Sequence, residues 1–169
     1  MKCICIGDTE VLSRLLPDEK PTETKTFQNP QLAKNYIETL SDNDWVLWCN
    51  GVSLDPSQVT ELSRDKLKLD AGLITGKVEK ESYLKANNIY SPTEFSEVSG
   101  KGLQRVDIVS PRFFIIKGQV LKELDLTEEH FGLSLRRLGY QNYVNMDIEI
   151  NKENKNAKDN NAKRECSIG

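Results

Sequence analysis

Long apolar runs are missing from this 169-residue chain. None approaches the roughly 20 residues that a membrane-spanning helix needs. A strong charge bias is missing too: the formal net charge is −3, which gives no global argument for nucleic acid or an anionic membrane surface. Histidine is reduced to His130 alone, so nitrogen ligands for a metal are scarce. No internal repeat is present. Met1 to Gly7 holds one lysine and a short apolar stretch, then meets Asp8 and Glu10, which does not read as a secretory signal. The expectation is a cytoplasmic chain whose thiols stay reduced.

What is present suffices for one domain. Apolar residues make up 37% and charged residues 29%, enough for a single core of ordinary size. The cysteines are Cys3, Cys5, Cys49 and Cys166. Cys3 and Cys5 stand two apart, so on a strand they face the same side. The first three are expected to be buried structural thiols, since a metal site would need more ligands nearby.

Lys2–Gly7 (KCICIG) reads as a buried strand ending in a turn. Val11–Leu16 is a brief helical patch stopped at Pro17, Asp18–Thr22 a loop, and Glu23–Phe27 an edge strand. Asn29 caps a helix with Pro30 in its first turn, and Leu32, Ala33, Tyr36, Ile37 and Leu40 follow at helical spacing. Trp45–Cys49 (WVLWC) is apolar throughout, as suits a central strand covered on both faces. Its tryptophans, Trp45 and Trp48, are expected in the core. Asn50 and Gly51 break the run, and Asp55-Pro56-Ser57 opens a helix to about Leu62. Ala71–Val78 is a strand and Glu79–Gly102 a polar surface excursion. Strands are expected at Val106–Val109, Arg112–Lys117 and Tyr143–Ile150, with helices at Gln119–Leu124 and Ser134–Leu138 ended by Gly139. Residues 151–169 are almost wholly polar and read as a flexible tail. The ending Cys166-Ser167-Ile168-Gly169 has the outline of a prenylation signal, with glycine a poor last residue. Alternation of strand and helix predicts a single α/β domain over 1–150, with a mainly parallel sheet flanked by helices. Ligands of such sheets bind at the carboxyl ends of strands, which points to Cys49-Asn50-Gly51.

Ala33-Lys34-Asn35 with its helix, Asp44–Trp48, and Leu54-Asp55-Pro56 are similar to the basic-Asn helix, apolar strand and proline-opened helix of family 2 glycosyltransferases. Ser110–Leu124 resembles the family's small-residue turn, apolar strand, basic residue and short helix. Leu133–Tyr140 (LSLRRLGY) resembles its late Leu-Arg-Gly-Tyr helix. Together they span about residues 29–150, in the family's order. The resemblance implies a reduced GT-A-like (Rossmann-like) fold, typically with an antiparallel strand inserted in the sheet. It also implies transfer of a sugar from a nucleotide-sugar to a glycan acceptor.

The departures bear on the site. The family's metal-binding acid-x-acid motif falls on Cys49-Asn50-Gly51, where an amide and a thiol replace the carboxylates that a hard cation wants. Asp55 reads as the cap of the next helix instead. Residues Thr24–Asn29 lack the acid that usually holds the nucleoside. A manganese or magnesium ion is expected only where a donor site survives. One register puts Glu129 and His130 on the catalytic acidic pair, as a proton acceptor; the other reading makes them solvated or packing residues. The substrate-binding candidates are Lys34, Asn35, Cys49, Asn50, Gly51 and Arg136. Lys34 and Arg136 either meet phosphates or lie on solvated helix faces. Two functions follow: a glycosyltransferase-like protein, or a non-catalytic GT-A-like module that binds a protein partner or glycan. No nucleic-acid partner is expected.

Overall fold

In the computed structural model the described residues are 1–7, 22–66 and 70–153. The expected helical patch at 11–16, most of the loop before residue 22, and the tail from residue 154 with its prenylation-like ending lie outside them. The elements run β1 (Lys2–Ile6), β2 (Glu23–Phe27), a 3-10 turn (Pro30–Ala33), α1 (Lys34–Thr39), β3 (Trp45–Asn50), β4 (Val52–Ser53) and α2 (Pro56–Asp65). They continue with β5 (Ala71–Val78), β6 (Leu84–Ala86), β7 (Phe95–Glu97), β8 (Leu103–Val106), β9 (Phe113–Lys117), α3 (Gly118–Glu123), α4 (Leu133–Arg137) and β10 (Gln141–Lys152).

The main sheet has the order β2-β1-β3-β9-β5-β10-β4, with β8 also on β10. β1 pairs in parallel with β2 and β3, and β5 in parallel with β10. β9 enters antiparallel between β3 and β5, pairing Cys49 with Phe113 and Ile74 with Ile115. The architecture is thus a mixed α/β single domain in which β1, β2, β3, β5 and β10 run one way and β4, β8 and β9 the other.

Strand alternation builds two cores, one on each face of the sheet. Ile4, Val46, Trp48, Leu73, Phe114 and Ile116 point to the face covered by α1, α3 and α4. Cys3, Cys5, Leu47, Cys49, Ile74 and Ile115 point to the other, covered by Val59 and Leu62 of α2. The WVLWC run is apolar throughout because both faces are covered. Trp48 stacks on Phe114 with centroids 5.5 Å apart, an aromatic pair worth about 1 kcal/mol beyond its area, and its indole donates to the Pro111 carbonyl.

Local signals explain the helix starts. Asn29 accepts from the Leu32 amide at 3.1 Å, and the first turn after it is 3-10 rather than α. Asp55 closes a capping box with Gln58 and starts α2, which reaches Asp65, one turn past the expected end. The excursion at Glu79–Gly102 departs furthest from expectation. It carries the β6–β7 hairpin, ordered by side chain to backbone bonds instead of apolar periodicity: Asn87 Oδ1 accepts from the amides of both Thr93 and Glu94. Buried Tyr83 anchors its base.

Candidate functional site

The carboxyl ends of the paired strands β1 and β3 lie side by side at Ile6 and Asn50. Gly7 and Gly51, directly after these ends, have φ of 88° and 66°, values that L side chains rarely adopt. Around Gly51 the chain assembles a polar cluster. The Asn50 amide donates to the Arg112 carbonyl at 2.7 Å, and the Glu153 amide to the Gly51 carbonyl at 2.8 Å. A Cβ at Gly51 would come within 3.0 Å of Arg112 Nη1, so the guanidinium lies directly over this glycine. Arg112 Nε donates to Glu81 Oε1 at 2.7 Å. The same oxygen takes the Ser110 hydroxyl at 3.3 Å and stands 3.7 Å from Lys152 Nζ. Glu79 Oε1 accepts from the Lys152 amide.

The residues expected from sequence divide among separate places. Asn50 and Gly51 sit in this cluster, partly exposed. Cys49, one residue earlier, points to the α2 face and is buried with Cys3 and Cys5. Lys34 and Asn35 are exposed at the start of α1. Lys34 lines a groove of about 330 Å³ between α1 and the α3 end, together with Glu38, Leu121, Lys122, Asp125 and Thr127. Lys122 is held there by the Leu40 carbonyl and Asp42. Two hydrogen bonds from Thr127, through its amide and its hydroxyl, hold the Asp125 carboxyl below its ordinary range.

Arg136 donates to Asp107 Oδ1 at 2.8 Å and to the Tyr140 carbonyl at 2.9 Å, so its fork is engaged within the protein. Glu129 is exposed. His130 packs on the Phe95 ring, centroids 5.0 Å apart, tying its loop to the β6–β7 hairpin. Its neighbour Phe131 reaches Phe114, 5.5 Å away, which brings the Glu129–His130 loop toward the end of β9 nearest the carboxyl terminus of β3. The acid used in α4 is Glu128. It accepts from the Gly132 amide at 2.7 Å and from the Ser134 amide and hydroxyl, a side-chain cap for orphan helix donors.

No family model and no curated protein matches this chain. Its chemistry is therefore read from its own side chains. Arg112, Glu81, Ser110 and Lys152 are the participants that sequence reasoning missed. Arg112 stands at the head of a strand pattern, where a lone basic residue carries no signal. Glu81 and Lys152 lie in segments read as excursion and tail. Among the described residues, the group of three or more Cys, His, Asp or Glu side chains that converge on a common point is Cys3, Cys5 and Cys49. A hard cation such as manganese or magnesium prefers carboxylate oxygens to these sulfurs. Hydrogen bonding among the three thiols and burial push Cys49 well above the ordinary thiol range, and Cys3 is raised as well. Both are held as neutral thiols, a poor state for nucleophilic work.

Proposed function

We propose that the chain is a glycosyltransferase-like protein of reduced GT-A type that takes a nucleoside diphosphate sugar at the carboxyl edge of β1 and β3. Arg112 and Lys152 face the diphosphate in place of a manganese or magnesium ion. The sheet order carries this reading: one antiparallel strand, β9, stands between parallel β3 and β5, the arrangement that the resemblance implies. The guanidinium over Gly51 supports it, because a planar fork suits phosphate oxygens. In this reading Glu129 or His130 takes the proton of a glycan acceptor hydroxyl.

The non-catalytic module, binding a protein partner or glycan, is favoured by one observation. Arg112 and Lys152 share Glu81, and Glu79 accepts the Lys152 amide beside them, so carboxylates of the chain itself already engage the cations of this edge. Thermal stability against a panel of nucleoside diphosphates and nucleotide-sugars, with and without manganese, separates the two. A ligand at about 100 times its Kd stabilises by roughly 2.7 kcal/mol. The transferase-like reading predicts a metal-independent shift with one nucleotide that is lost in Arg112→Gln. Absence of a shift with every ligand transfers the assignment to the module.

A further inference from the structure

Cys3 and Cys5 lie on one face of β1, two positions apart, and the parallel register sets Cys5 opposite Cys49 on β3. Adjacent strands stand about 4.8 Å apart, so the three side chains converge. Their sulfurs all lie within 4.8 Å of one another, with Cys3 Sγ and Cys5 Sγ at 3.7 Å. No disulfide joins them. Metal–sulfur bonds of about 2.3 Å arranged in a trigonal plane need sulfurs roughly 4 Å apart, so the three sulfurs would have to shift by less than about 1 Å to reach it. We propose that Cys3, Cys5 and Cys49 form a buried three-sulfur site for a soft cation, Cu(I).

The surroundings select among soft metals. The wall around the sulfurs is apolar, including Leu54, Val59, Leu62 and Ile74. The converging group contains neither histidine nor carboxylate. Structural zinc sites are almost always closed by four ligands, whereas thiolates alone suit Cu(I). Two thiolates on a monovalent ion leave a single negative charge in the core, a smaller desolvation cost than three would carry, and the third sulfur stands beside them to close the trigonal plane once it too loses its proton. Each thiol that ligates as thiolate releases its proton to solvent, so binding tightens as pH rises. Cys49, 5% exposed and next to the Asn50-Gly51 strand end, is the point of entry.

The test uses the reduced full chain carrying Cys166→Ser, titrated with Cu(I) in competition with bicinchoninate. The expected result is uptake of one Cu(I) per chain, tighter at higher pH, with ultraviolet sulfur-to-copper charge transfer. Cys49→Ser is expected to weaken uptake tenfold or more. Because a buried serine can unfold the chain, X-ray absorption at the copper edge is measured with all three thiols in place and should show a first shell of sulfur alone. Failure to take copper from the competitor, a first shell of nitrogen or oxygen, or folded Cys49→Ser with unchanged uptake overturns the site. Displacement of the bound Cu(I) by equimolar Zn(II) overturns the choice of metal.

Discussion

Arg136 Nε donates to Asp107 Oδ1 at 2.8 Å, and both side chains are mostly buried. Asp107 also accepts from the Ala86 amide through its other oxygen. One carboxylate therefore links α4, the end of β8 and the β6–β7 hairpin.

Asp107→Ala is expected to destabilise by about 3 kcal/mol, since it strands a largely buried guanidinium and a backbone amide. Urea unfolding of the variant checks this. A cost below about 0.5 kcal/mol, as for an exposed pair, would return Arg136 to the pool of groups available to a phosphate.

Gly118→Ala tests a close approach. The Gly118 amide donates to the Asp44 carbonyl at 2.7 Å, and a Cβ there would sit inside the van der Waals surface of the Ser41 carbonyl oxygen. Backbone cannot swing aside as a side chain does, so a loss of about 2 kcal/mol is expected. An unchanged melting temperature would contradict the tight docking of the 41–44 turn on α3.

Tyr83 accepts the Val78 amide at 3.0 Å, and burial pushes its phenol up to about 12. Tyr83→Phe leaves that amide without its acceptor and should cost about 1–3 kcal/mol at neutral pH. Because the folded pKa lies above the unfolded value of about 10, the neutral phenol's contribution is complete below pH ~10 and is lost as pH rises toward 12. The gap between wild type and Tyr83→Phe should therefore narrow over that window in pH-dependent denaturant melts. A constant gap would place the phenol in water.

Sheet neighbours were legible where local chemistry decides them. Trp45–Cys49 announced a strand covered on both faces, Glu23–Phe27 an edge, and Asp55-Pro56 the start of α2. The β6–β7 hairpin was not legible, because Asn87 and Asn88 order it through backbone bonds that leave no apolar period. Strand direction was not legible either: nothing in FFIIK distinguishes a parallel from an antiparallel neighbour, and β9 reverses because the chain returns to β3 at Arg112. Of the site candidates, Asn50 and Gly51 were singled out by the rule that ligands of parallel sheets bind at strand carboxyl ends. The pairing of Arg136 with Asp107 was not legible, because a basic residue on a short helix looks the same whether it meets a phosphate or an acid.

The sequence by itself determined the alternation of elements, the capping of the 3-10 turn before α1 and of α2, and the shared face of Cys3 and Cys5, all of which depend on residues within a few positions of one another. Only the tertiary structure decided that Cys49 completes a thiol triangle and that Arg112 covers Gly51. Those contacts join residues 44 to 61 positions apart, and they exist only once strand register and direction are set by packing of both sheet faces.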